Sequence, residues 1–244
     1  KIKTFFVLIF TIDSVMGLMF YIAKANAQVN NDNGIRKIVV FKKDLKNNAK
    51  DELISRFNSV NLKDLGIINA RAVWLPNRAA VDKLIKDSAV LRIDDDVVVE
   101  ALERVSGSKP VFISSQTLPW GINQVDAELV WPTGNTADPI KVGVIDTGIS
   151  NQHPDLLANI KGGINTINLR RGWNDDNGHG SHVAGIIAAL NNSIGVVGVG
   201  PNIDLYAIKT LDASGSGYLS DVIEGLQWAA NNKTTWGGKR IAWS

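Results

Sequence analysis

Three histidines, at 153, 179 and 182, and an Asp146-Thr147-Gly148 run are the groups in this 244-residue chain whose types and spacing could do chemistry. The chain has no Cys, which excludes disulfides, thiolate-bound zinc and Cys nucleophiles. Asp146 ends the β-rich run Ile140-Lys141-Val142-Gly143-Val144-Ile145. An Asp at the carboxyl end of a parallel strand, followed by Gly to turn the chain, sits where open α/β sheets place their active sites. The plain alternative is a turn aspartate before a loop. Further on comes Asn177-Gly178-His179-Gly180-Ser181-His182-Val183-Ala184-Gly185, whose small residues predict a helix over 181–190 packed closely on a sheet. Gly178 and Gly180 leave the His179 imidazole unobstructed at that helix's N-terminus, where the positive end of the helix dipole disfavours imidazolium. Neutral imidazole is the form a general base needs. A metal pair of His179 and His182 with Asp175 or Asp176 is the rival. Its i, i+3 spacing differs from His-Glu-x-x-His, and no Glu is near to act as base. On the first reading His182 packs inside the helix with its ring nitrogens bonded internally.

The elements that must position these groups follow from period and punctuation. Residues 204–211 predict a second strand, Ser214-Gly215-Ser216-Gly217 a loop, and residues 219–230 a helix. Glycines leave the strand edge at 215–217 open, so an extended peptide could add beside it. Upstream, residues 35–41 are β-rich, 51–60 place Leu53, Ile54 and Phe57 at helical spacing, and 65–75 predict a strand pair or one long strand. Asn77 then caps a helix over 78–86 with Val81, Leu84 and Ile85 turned inward, and 90–102 is again strand-like. This β-α-β-α-β order suggests a small two-layer unit of the split βαβ type. Its acidic triplet Asp94-Asp95-Asp96 reads as a solvated turn or strand edge.

The flanks carry other signals. Lys1 and Lys3, two apolar stretches within residues 5–23, and Ala25-Asn26-Ala27 read as a secretory signal over 1–27. An uncleaved anchor is disfavoured by Asp13 in mid-run. Residues 103–115, with Ser-Gly-Ser-Lys-Pro, read as an exposed connector and domain boundary. A formal net charge of +2 gives no electrostatic case for nucleic acid, and the membrane is expected only during export.

Asp146-Thr147-Gly148 with His179-Gly180-Ser181-His182-Val183-Ala184-Gly185 resembles the subtilisin-like serine proteases, the subtilases. The resemblance runs over about 116–232, Ser181 standing where many relatives carry Thr. It implies an α/β fold: the N-terminal half of a doubly wound parallel-sheet domain over 116–244, preceded by a small α+β, split βαβ propeptide domain over 28–102. It also implies a secreted serine endopeptidase precursor acting on protein and peptide substrates, with its own propeptide as intramolecular inhibitor. His179 is then the general base and Asp146 the group that fixes its tautomer. Leu211, Gly215, Ser216 and Gly217 are implied to line the substrate cleft. Gln116-Thr117-Leu118-Pro119-Trp120-Gly121 resembles a mature N-terminus. With Asp155 and residues 190–196, it implies a structural Ca²⁺ site formed by Gln116, Asp155, Leu190, Asn192, Ile194 and Val196, a many-oxygen set suited to a hard cation. His153 is then a surface residue.

The family's nucleophile lies in a Gly-Thr-Ser-Met-Ala run, and no such run occurs in these 244 residues; nor does the chain contain the family's oxyanion-donating Asn. In subtilisin, loss of the serine costs about a millionfold in turnover, so the chain alone is expected not to hydrolyse peptides by the triad route. Residues 233–244 depart abruptly from the family pattern, suggesting a frameshift or a shortened gene model. The alternative function is that of a non-catalytic relative whose first domain binds and inhibits proteases. Maturation is expected near Leu102 or at 114–116.

Overall fold

The computed structural model describes residues 34–43, 45–101, 115–138 and 140–232. The expected leader at 1–27, Leu102, nearly all of the connector and the divergent tail lie outside the described residues.

Residues 34–101 carry β1 (Ile35–Phe41), α1 (Asn47–Ser55), β2 (Val60–Leu65), β3 (Ala70–Leu75), α2 (Arg78–Leu84), β4 (Val90–Asp95) and β5 (Val98–Glu100). The first four strands form one sheet in the order β2-β3-β1-β4, with β1 antiparallel to both neighbours. That is the split βαβ arrangement expected. Alternate residues of β1 and β3, including Val39, Phe41, Val73 and Leu75, bury one face against Leu53, Ile54, Val81 and Leu84 from the two helices, the period-2 and period-3.6 faces meeting as a two-layer core requires.

Boundaries differ from the expectations for local reasons. α1 lies earlier than predicted and ends in a turn where Asn58 takes φ 51°, a left-handed conformation that Asn tolerates and helices do not continue through. The 65–75 segment is neither a strand pair nor one long strand: Leu65 ends β2, a 3₁₀ turn at Gly66–Ile68 and Asn69 at φ 55° reverse the chain, and only Ala70–Leu75 form a strand, β3. Asn77 does cap α2, its side chain accepting from the Ala80 amide at 3.0 Å. The helix stops at Leu84, however, and Ile85 is exposed rather than turned inward. The 90–102 run divides into β4 and β5, which belong to different sheets.

Residues 115–232 carry α3 (Trp120–Gln124), α4 (Ala127–Val130), β6 (Lys141–Asp146), β7 (Ile160–Asn165), α5 (His179–Ala188), β8 (Asp204–Lys209), β9 (Ser216–Tyr218) and α6 (Leu219–Asn232). β6, β8 and β7 form a parallel sheet in that order. β7 was not foreseen, since the paired glycines of Ile-Lys-Gly-Gly-Ile-Asn weaken a β pattern. Side chains alternate across β8. Leu205 and Ala207 pack with Val142, Val144, Ala184 and Ala188 on the α5 side. Ile208 packs with Ala229 of α6, joined by Ile145, Ile164, Tyr206 and Trp228. Helices thus cover both faces, as in a doubly wound sheet.

The two lobes meet along β9 and α6. Asp96 lies beyond β4 and accepts at 2.9 Å from both the Ser220 amide and the Ser220 hydroxyl, capping the first turn of α6 from the other lobe. Arg36 donates to the same carboxylate at 2.9 Å and lies 3.6 Å above the centre of the Tyr218 ring. Lys63 pairs with Asp221 at 2.9 Å and Glu224 at 2.6 Å. The acidic triplet is therefore not a uniform solvated edge. Asp94 and Asp95 pair with Arg92 and Lys37, whereas the Asp96 side chain is fully buried.

Candidate active site

Asp146 is the last residue of β6 and His179 the first of α5, so the two are brought together by strand and helix ends on one face of the sheet. The His179 Nδ1 lies 2.8 Å from each carboxylate oxygen of Asp146. Asp146 is buried, and the His179 side chain keeps only 21% of its surface. A carboxylate so placed accepts the Nδ1 hydrogen, which leaves the Nε2 lone pair free to take a proton. The Thr147 amide donates to Asp146 Oδ1 at 2.6 Å and holds the carboxylate plane. Gly180 is required here by close approach: a Cβ would stand 2.1 Å from the Gly148 carbonyl oxygen.

A second aspartate builds the helix start. Asp175 accepts from the amides of Asn177, Gly178 and Ser181 at 3.0, 2.9 and 2.9 Å, from the Ser181 hydroxyl at 2.6 Å and from the Thr147 hydroxyl at 2.8 Å. Burial disfavours its charge, but the hydrogen bonds from Gly178, Ser181 and Asn177 outweigh that and hold its carboxyl below the usual aspartate range. This satisfies amides that α5 cannot bond internally. The Thr147 hydroxyl also accepts from the Gly180 amide at 2.9 Å, which ties the β6 end to the helix.

The metal-pair reading of the histidines does not match this arrangement. His182 is exposed and makes no ring hydrogen bond among the described residues, correcting the expectation that it packs internally. His153 is exposed, its Nδ1 accepting from the Asp155 amide at 3.3 Å. No group of three His, Asp or Glu able to hold a metal occurs among the described residues.

Leu211, Gly215, Ser216 and Gly217 lie in the segment leading through β9. Gly215 takes φ 81°, a conformation that disfavours other residues. Asp212 organises this turn by accepting from Ser214 and Ser216 amides. A peptide segment lies along its edge: β5 pairs antiparallel with β9, Val99 opposite Gly217 and Glu100 opposite Ser216. The Ala101 amide donates to the Gly215 carbonyl at 2.8 Å. The Asn177 side chain donates to the Ala213 carbonyl at 3.1 Å, so this edge adjoins the loop that carries His179.

The nominated cation residues also gather. Asp155, 2% exposed, accepts from Asn192 Nδ2 at 2.8 Å and the Val196 amide at 3.0 Å. Gln116 Oε1 accepts from the Asn192 amide, Asn192 Oδ1 from the Ile194 amide at 2.7 Å, and the Leu190 amide donates to the Asp155 carbonyl at 3.0 Å. Two N–H donors fill half of the accepting capacity of the Asp155 carboxylate. An oxygen-rich loop around one buried carboxylate is a donor set that suits Ca²⁺.

The subtilase family matches residues 137–235, a span that contains both Asp146 and His179. Residues 137–235 belong to the subtilase family. The relatives of this subtilase segment include alkaline elastase YaB of Bacillus sp. (strain YaB), 49% identical over 152 residues, 62% of this chain and 36% of the elastase. Subtilisin E of Bacillus subtilis (strain 168) is 35% identical over 234 residues, 94% of this chain and 58% of that protein. Subtilisin Savinase of Lederbergia lenta is 54% identical over 118 residues, 48% of this chain and 43% of Savinase. The chain thus spans less than two thirds of each of these relatives. No helix among its described residues is long and apolar enough to cross a membrane.

Sequence reading missed the roles of three residues that shape the site and the lobe contact beside it. Asp175 had a signal in its place shortly before a helix start, the position of a capping acid. Lys209 had one as a lone charge ending the apolar strand Leu-Tyr-Ala-Ile. Asp96 had none beyond its neighbours' charge, because its partner, Ser220, is far away in sequence.

Proposed function

We propose that the chain is a secreted subtilisin-type serine endopeptidase precursor. Residues 1–27 are its signal, 28–102 an inhibitor-like propeptide, 103–115 a processing region and 116–244 peptidase sequence. His179 Nε2 takes the proton of an attacking serine hydroxyl and returns it to the leaving amine, while Asp146 holds the Nδ1–H tautomer and stabilises the imidazolium. The observation that carries this reading is the Asp146–Nδ1 contact at 2.8 Å beside a cleft edge already occupied by a strand of the same chain. Leu211, Gly215, Ser216 and Gly217 take an extended peptide by main-chain pairing, and β5 fills that place as the inhibitor. The register supports cleavage just beyond Ala101, near Leu102, in preference to 114–116, because Ala101 is already bonded at Gly215. Gln116, Asp155, Asn192 and the carbonyls of Leu190, Ile194 and Val196 would hold Ca²⁺, which would cross-link the loops and supply no reacting group.

The nucleophilic serine is not in a family context within these 244 residues, so this chain alone is expected to be inactive. Casein hydrolysis by the product of the whole gene, lost on His179→Ala and on Asp146→Asn and blocked by a serine-directed sulfonyl fluoride, supports the proposal. Hydrolysis that survives His179→Ala overturns it. The second reading, a non-catalytic inhibitory module, is favoured by the completeness of the β5–β9 and Asp96–Ser220 docking. It predicts that residues 28–114 inhibit a related protease while the whole gene product cleaves nothing.

A further inference from the structure

Lys209 ends β8 and is 4% exposed, a rare burial for a lysine. Its ammonium donates to the Thr147 carbonyl at 2.6 Å, the Leu211 carbonyl at 3.0 Å and Asp176 Oδ1 at 2.6 Å, which uses all three donors. Lys209 is the register partner of Asp146 across the parallel β6·β8 ladder. In a parallel pair, register partners project from the same face. The ammonium therefore lies on the face where Asp146 meets His179. It grips the carbonyl of Thr147, whose amide bonds the Asp146 carboxylate, and the carbonyl of Leu211 at the cleft. Its carboxylate partner, Asp176, is half-exposed and stands three residues before His179.

Resting on the reading of His179 as a general base, we infer that the Lys209–Asp176 pair is a positioning device that sets the protonation balance of His179. Ionisable groups reach this site from every surrounding element. Asp146 comes from β6, Asp175 and Asp176 from the loop before α5, Asp212 from the loop after β8, and Glu100 from the strand laid in the cleft, with His182 exposed on α5 itself. Among these groups Lys209 is a buried cation, paired with Asp176 and near enough to Asp212 to help lower its pKa. Without it, the negative field would favour imidazolium and withdraw the base from its neutral form. Asp176 limits the opposite error, an uncompensated cation that would repel a proton from the ring.

The test is an NMR titration of the His179 imidazole in the 244-residue protein, whose only other histidines are 153 and 182. Lys209→Met is expected to raise the His179 titration midpoint by roughly half a pH unit, and Asp176→Asn to lower it by a similar amount. The double variant should return close to the parent. A merely structural role would move both single variants alike, or neither. No change in Asp176→Asn, or shifts of the same sign in both, overturns the inference; if Lys209→Met does not fold, Asp176→Asn still decides it. The measurement needs no hydrolysis, so opposite shifts in the 244-residue protein, beside a whole gene product that cleaves nothing, would uphold the electrostatic inference while refuting the protease reading.

Discussion

At the scale of single residues, the site rests on aspartates with different tasks. Asp146 orients the imidazole, while Asp175 holds the turn from which the imidazole projects. Asp175→Ala removes the acceptor of three amides and two hydroxyls, and its cost should be about 1–2 kcal/mol at neutral pH, the scale of a lost helix cap. The sign of the pH dependence follows from the carboxyl's lowered pKa. A depressed carboxylate stabilises the fold above its unfolded pKa, and that contribution disappears as pH falls through the folded value. Thermal melts of parent and Asp175→Ala should therefore lie apart at pH 7 and approach one another as the pH falls below the usual aspartate range. Equal melts at pH 7 would refute the capping role.

At the scale of elements, α6 receives its first-turn acceptor from a residue in another lobe. Asp96→Ala leaves the Ser220 amide and hydroxyl without their acceptor and Arg36 with only the Ser220 hydroxyl oxygen, an expected loss of about 1–3 kcal/mol. Amide exchange should quicken in the first turn of α6 and in β5, with α5 unchanged; unaltered exchange in α6 would show that Asp96 does not cap it. This contact also marks what sequence could and could not disclose. β1, α2, β8 and α6 were legible because each has a local period or a cap, whereas the meeting of Asp146 with His179 was implied only by the family resemblance. The α1 boundaries turned on Asn58 adopting a left-handed turn, and β7 was masked by two glycines. Asp96 and Lys209 draw their meaning from partners that only the folded chain brings near.

At the scale of the whole molecule, loops distant in sequence converge on Asp155, which joins residues 116, 190–192 and 194–196 into one patch. Calcium should raise the melting temperature of the 244-residue protein by several degrees at millimolar concentration, with magnesium doing less. Asp155→Asn should abolish the difference, and a melting temperature indifferent to calcium would remove the cation from the proposal. The lobe boundary has a different dependence. Arg36 and Lys63 anchor it through three carboxylates, while β5 lies on β9 through main-chain bonds. As long as one polypeptide joins the lobes, β5 stays beside β9 at an effective millimolar level that no dilution can change. A single cut between them would make the β5–β9 contact bimolecular, so that its persistence would depend on volume: a confined space would keep the pair together, and an open medium would let them drift apart.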